Sequence, residues 1–200
     1  MRARLLSVIV AGFLIGAVAG ATVLALSGSG TGPAVATSGT ALIGGPFTLI
    51  DQHGKTVTDK DFRGRFMLVF FGFTHCPDIC PAELQVMSAS LDALGPEAAE
   101  VVPIFITLDP ERDTQAAMAG YVKNFGSRFV GLTGTPDSIA AAAKAYRIAY
   151  SKFQDDTTSS DYSIDHSALV YLMGKNGEYV THFAYGTPAD KMTETLRRYL

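Results

Sequence analysis

Both cysteines of this 200-residue chain fall within six residues, His75-Cys76-Pro77-Asp78-Ile79-Cys80. The spacing decides which chemistry they favour. Residues four apart share a helix face with Cβ atoms about 5–6 Å apart, whereas a disulfide wants Cβ atoms at roughly 3.5–4.5 Å. A metal with thiolate bonds of about 2.3 Å accepts the wider separation. Cys76 and Cys80 are therefore candidate metal ligands that can still oxidise to a disulfide if the first helical turn is distorted. A helix N-terminus at this point would lower both thiol pKa values and favour the thiolates that either reaction needs. A purely structural bridge is the weaker reading, because so small a loop removes little chain entropy.

The flanking sequence says what must hold these sulfurs. An unbroken apolar run, Phe66-Met67-Leu68-Val69-Phe70-Phe71, precedes the motif and reads as a strand buried on both faces. After it, Leu84, Met87, Leu91 and Leu94 recur at helical spacing over Cys80–Leu94. A buried strand ending in a cysteine turn that opens a helix is where thioredoxin-type domains keep reactive sulfurs. Further along, Phe47–Ile50 and Thr56–Thr58 flank the turn Asp51-Gln52-His53-Gly54, a hairpin. Val101–Leu108 reads as a second long strand ending at Asp109-Pro110, followed by a helix over Thr114–Phe125. Thr135-Pro136 and Thr187-Pro188 read as N-cap/N1 pairs opening two more helices. Strands are expected at Ile148–Phe153 and Ala168–Met173, the second turning through Gly174–Gly177 into Glu178–Phe183. The order predicts an α/β fold: a thioredoxin-like mixed sheet flanked by helices, with an N-terminal β-hairpin and an insertion near residues 135–165.

Ahead of this domain, Leu5–Leu26 carries no charge and is rich in Leu, Ile, Val, Ala and Phe. About 20 such residues cross a bilayer. Arg2 and Arg4 precede the run and the next charge is Asp51, so by the positive-inside tendency the chain beyond Leu26 is exported. A cleaved signal peptide is the rival, with small-residue sites at Ala17-Val18-Ala19 and Ala34-Val35-Ala36; the length of the run favours a retained transmembrane helix. Only four residues precede it, fewer than a mitochondrial presequence needs, which places the protein in a bacterial inner membrane with its domain in the periplasm. Residues 1–26 are thus a membrane anchor, 27–44 a Gly/Ser-rich tether and 45–200 the working domain. Gly12, Gly16 and Gly20 have the spacing of a helix-pairing stripe, so a homodimer is admissible. All 19 acidic residues but only 14 of the 16 basic ones lie beyond residue 45, a net charge of −5 that argues against nucleic acid.

Two cysteines leave a metal under-coordinated. In a thioredoxin-like fold the loop before the penultimate strand approaches the cysteine helix, so His166 in Asp165-His166-Ser167-Ala168 could reach both sulfurs. Thiolates with an imidazole suit copper, and thiolates suit Cu(I) in particular. The blocks GFTHCPDICPAEL, ITLDPERDT and DHSALVYLM together closely resemble the Sco/SenC family, and the likeness runs from about Gly45 to Leu200. The resemblance implies a membrane-anchored metallochaperone that binds one copper, as Cu(I) with Cu(II) also admissible, through Cys76, Cys80 and His166. It would deliver this to the binuclear copper centre of cytochrome c oxidase. Its partners would be the copper-bearing oxidase subunit, other periplasmic copper chaperones and thioredoxin-like reductants. A tethered thiol–disulfide oxidoreductase using Cys76 and Cys80 is the alternative, and it has no use for His166. A peroxidase of the peroxiredoxin kind would want an Arg beside the cysteine, and none lies in the motif.

Secondary candidates carry weaker expectations. Asp78 is placed to cap the cysteine helix. His75, adjacent to Cys76, should diverge from it. Asp109 resembles a family acidic residue that aids transfer or partner contact, or else it caps a turn. Asp165 could orient His166 or simply face solvent. His53 and His182 read as surface residues, and Met67, Met87, Met118, Met173 and Met192 as core.

Overall fold

The computed structural model describes residues 42–154 and 162–200. The proposed membrane span and most of the tether lie outside them, as does most of the polar stretch before Tyr162. Among the described residues no helix is long and apolar enough to cross a membrane.

Among those residues nine strands form, in chain order: β1 (Thr48–Asp51), β2 (Thr56–Thr58), β3 (Phe66–Gly72), β4 (Val101–Thr107), β5 (Val130–Thr133), β6 (Tyr150–Phe153), β7 (Ser163–His166), β8 (Leu169–Met173) and β9 (Tyr179–Ala184). Four α-helices accompany them: α1 (Ile79–Leu94), α2 (Gln115–Val122), α3 (Pro136–Ala145) and α4 (Ala189–Arg197). Seven strands make one sheet in the order β2-β1-β5-β4-β3-β8-β9. β3, β4 and β5 run parallel, while β1 and β8 join them antiparallel, giving the expected mixed sheet. Every residue of β3 and β4 is buried, as their unbroken apolar runs require of strands covered on both faces. α1 and α4 pack together, tied by Thr193 Oγ1 donating to the Ser90 carbonyl and Ser90 Oγ to that of Ala189. The five methionines read as core are all buried.

The register brings the chemistry to one end of the sheet. Gly72 pairs with Thr107 where β3 and β4 end, and Phe70 pairs with Val170 near the start of β8. The cysteine turn, the loop after β4 and the segment before β8 therefore meet at the same edge, where open α/β sheets place their sites.

Three elements differ from the sequence reading. β5 is an additional strand; it is short and contains Gly131, with too few residues to show a period. β7 is a second addition, and with β6 it forms a separate two-stranded hairpin in which Tyr150 faces His166. Thr135 does cap α3, its hydroxyl accepting from Ser138 N at 3.2 Å. Thr187 does not cap α4, which begins one residue later with Pro188 at the N-cap. The Thr187 hydroxyl instead donates back to the Ala184 carbonyl at 2.7 Å.

Candidate metal centre

Cys80 is fully buried at the first turn of α1, while Cys76 is partly exposed ahead of it; both are free thiols. The backbone N–H of Cys80 donates to Cys76 Sγ at 3.4 Å. That sulfur takes one of the orphan donors at the helix start, which displaces the expected role of Asp78. Asp78 occupies the N-cap position but its carboxylate accepts no capping hydrogen bond. Cys76 is pulled down to about 5, first because the Cys80 thiol donates to it and then through the N–H groups of Cys80 and Asp78, against the opposing effect of burial. Cys80 is pushed up by donating to Cys76 and by burial, so it holds its proton at neutral pH. The pair is asymmetric: an accessible thiolate over a buried thiol.

His166 closes the third side. Its Nε2 lies 3.7 Å from Cys80 Sγ across 86 residues of sequence. Its Nδ1 lies 3.2 Å from the Ser167 carbonyl; a proton on Nδ1 satisfies that carbonyl and leaves the Nε2 lone pair facing the sulfur. Phe73 packs edge-on against the ring at 6.1 Å, and Phe70 lies at 6.2 Å. Donors held by one ion at about 2.3 Å (sulfur) and about 2.05 Å (nitrogen), at a trigonal angle, would stand about 3.8 Å apart. Cys80 and His166 stand within about 0.1 Å of that spacing. Among the described residues no three such side chains are drawn into a closed cluster. Cys76 sits beside this pair, its sulfur held by the Cys80 N–H at the helix N-terminus. It lines an open groove of about 600 Å³ with Phe73, Ile79, Phe153, Ile164 and His166.

The other candidates sort differently. His75 points away from the sulfurs, with Nδ1 3.2 Å from Thr74 Oγ1 and 3.7 Å from Asp113. Asp165 is exposed beside Ser151 on the hairpin, and the group contacting His166 Nδ1 is the Ser167 carbonyl. His53 and His182 lie outside the site; the His182 ring meets the Tyr179 hydroxyl at 2.6 Å. Asp109 is fully buried in contact with Arg112 and Tyr162.

Sequence reasoning missed Asp113. Its buried carboxylate accepts from Thr74 N at 2.9 Å, Thr74 Oγ1 at 2.5 Å and Thr107 Oγ1 at 2.6 Å, and so fixes the chain two residues before Cys76. The only available signal was its place after a strand end in ITLDPERDT. Gly72 carries no sequence signal of its own. A Cβ there would sit 2.7 Å from Cys80 Sγ and 3.0 Å from Phe105. Gly72→Ala is expected to destabilise the fold by about 1–3 kcal/mol through overpacking and to displace the Cys80 sulfur. Chemical denaturation and thiol-labelling rates check this; unchanged values for both would show that the sulfur has room to move.

The SCO1/SenC family model matches residues 35–200, which is most of the chain. This chain belongs to the SCO1/SenC family. The human mitochondrial protein SCO1 homolog is 45% identical over 147 residues, covering 72% of this chain and 48% of its own length. The chain thus spans about half the length of that relative. A crystal structure of Arabidopsis thaliana ScoI with copper bound matches with a TM-score of 0.75 and 42% identity, covering 78% of this chain and 97% of its own. Bradyrhizobium japonicum ScoI, also with copper bound, matches with a TM-score of 0.72 and 46% identity, covering 79% and 99%. These SCO1/SenC structures share the mixed sheet and flanking helices of this chain.

Proposed function

We propose that this SCO1/SenC protein is a membrane-anchored copper carrier. Cys76, Cys80 and His166 take one copper ion and surrender it to the copper-bearing subunit of cytochrome c oxidase. The observation that carries this reading is the meeting of Cys80 Sγ and His166 Nε2 at 3.7 Å, in a chain whose relatives have been solved with copper bound. Thiolates and imidazole are soft and borderline donors matched to Cu(I). The accessible Cys76 is the sulfur an incoming acceptor thiolate can reach first, and Cys80 and His166 hold the cargo behind it. The charge-free run of residues 5–26 supports tethering to the membrane, which would raise the effective concentration of donor and acceptor in one plane.

The test is a Cu(I) titration of the reduced protein against a competing chelator, beside His166→Ala. One tight equivalent is expected, weakened by at least about 100-fold in the variant, the upper end of what loss of a mere supporting residue produces. Equal affinity in both proteins would remove His166 from the site.

A thiol–disulfide oxidoreductase is the second reading, favoured by one observation: a low-pKa exposed thiolate above a buried thiol suits nucleophilic attack followed by resolution. It predicts thiol exchange that survives His166→Ala unchanged.

A further inference from the structure

Among the described residues, the strands of the hairpin that carries His166 pair only with each other. β6 and β7 form their own two-stranded sheet, and an isolated hairpin is marginal in water. Ile164 buries its side chain against the core, and His166 leans on Phe70 and Phe73. A further hold comes from the loop after β4. Asp109, fully buried, accepts hydrogen bonds from Arg112 Nε and, at 2.7 Å, from the Tyr162 hydroxyl. Arg112 Nη1 donates to the Tyr162 carbonyl at 3.0 Å, and its guanidinium lies 3.8 Å over the Tyr162 ring. Lys152 of β6 lies 4.5 Å from the same ring and pairs with Glu111 at 2.6 Å. Tyr162 directly precedes β7, so the loop grips both strands of the hairpin four residues from His166.

The same loop grips the other half of the site. Asp113 holds Thr74, two residues ahead of Cys76. Residues 109–113 thus touch the cysteine turn on one side and the histidine hairpin on the other.

We propose that Asp109, Arg112 and Tyr162 form a latch that positions His166 at bonding range of Cys80, with none of the three contacting the metal. The proposal rests on the copper-site reading of Cys76, Cys80 and His166 and adds residues that act through His166. Asp109 is in this view a positioning residue that fixes the third donor, rather than a transfer or docking group. The aromatic ring and the hydroxyl make separable contributions. The stack under Arg112 holds the strand down, and the bond to Asp109 fixes its height.

The experiment uses the full chain and four variants: Tyr162→Phe, Tyr162→Ala, His166→Ala and the double variant Tyr162→Ala/His166→Ala. Cu(I) affinity is read by chelator competition, and the Cu(II)–thiolate absorption band reports ligand geometry. Tyr162→Ala is expected to weaken Cu(I) binding about tenfold and to shift the band, with a smaller loss for Tyr162→Phe. In the His166→Ala background the Tyr162 change should have no effect on affinity, because the latch acts only through the missing imidazole. Hydrogen exchange on the metal-free protein supplies an independent readout, in which amides of residues 163–166 should exchange about tenfold faster in Tyr162→Ala while those of β3 and β4 stay unchanged. Unaltered affinity and band in Tyr162→Ala would overturn the latch. So would an equal loss with and without His166, or unchanged exchange in β7. Equal copper affinity in the parent and His166→Ala would sink the site reading instead, leaving the metal-free exchange as the measure of whether the latch holds the hairpin.

Discussion

Asp113→Ala is expected to lower the stability of the domain by about 3–5 kcal/mol, the combined cost of leaving several buried donors without their acceptor. The carboxylate is fully buried and serves three donors from two strands' ends: the backbone and hydroxyl of Thr74 and the hydroxyl of Thr107. Truncation leaves the Thr74 N–H and the Thr107 hydroxyl without an acceptor, with only the His75 ring still within reach of the Thr74 hydroxyl, and each buried donor left unpaired costs about 1–3 kcal/mol. For a domain of this size the melting temperature should drop by roughly 10 °C. Asp113→Asn is the informative control. One amide oxygen can still take Thr74 N and Thr107 Oγ1, and the amide N–H₂ can donate to Thr74 Oγ1, so most of the stability should return. The bond from Thr133 Oγ1 goes to the Asp113 backbone carbonyl and survives either change. A melting temperature for Asp113→Ala within a degree or two of the parent would show that water replaces the carboxylate. The functional consequence comes from its place: with Thr74 released, the turn carrying Cys76 loses its fixed start, and copper affinity should fall together with stability.

The second large effect is in the titration of Cys76. In the reduced protein its thiolate should appear with a midpoint near 5, where an ordinary thiol titrates near 9. The leading cause is the hydrogen bond from the Cys80 thiol, so Cys80→Ala should return the midpoint most of the way toward 9. Thiolate absorbance and the pH dependence of alkylation both report it; a midpoint near 8 or 9 in the parent would show that the two sulfurs do not share a proton in this way. The linked effect on stability has a definite sign. Between about pH 5 and 9 the unfolded chain binds a proton at this sulfur that the folded chain does not, so stability rises with pH across that window. The contribution is complete above 9 and is lost as pH falls through about 5. Cys80 acts in the opposite sense at higher pH, because its folded form keeps the proton that the unfolded thiol gives up above 9. At pH 7 a metal bound by both sulfurs therefore displaces about one proton, from Cys80, rather than two. Calorimetry in buffers of different ionisation enthalpy counts it.

Much of this was legible in the chain, for reasons that are local. The apolar run Phe66–Phe71 reads as a strand buried on both faces, and a spacing of four positions, with three residues between the cysteines, placed both sulfurs at the opening of one helix. Thr135-Pro136 carried its cap chemistry in two adjacent residues, and α3 starts there. Asp78 and Thr187 show where the same local logic fails. At the first, the Cys76 sulfur takes the helix donor that the carboxylate was expected to take. At the second, the hydroxyl finds a carbonyl behind it and the helix starts late. Propensity ranks the candidates for a cap, and packing chooses among them.

The sequence by itself determined the kind of site: two sulfurs at a buried strand's end, an imidazole before a later strand, and a fold that brings those ends together. Periodicity and spacing encode such things because they act over a few residues. The tertiary structure alone decided the unequal roles of Cys76 and Cys80, since the direction of the hydrogen bond between their thiols, burial and the Cys80 N–H are what separate them. It also decided what holds the parts in place. Asp113 meets Thr74 across 39 residues and Tyr162 meets Asp109 across 53. A buried carboxylate chosen to satisfy distant donors looks, in the one-dimensional chain, like any acid in a polar loop.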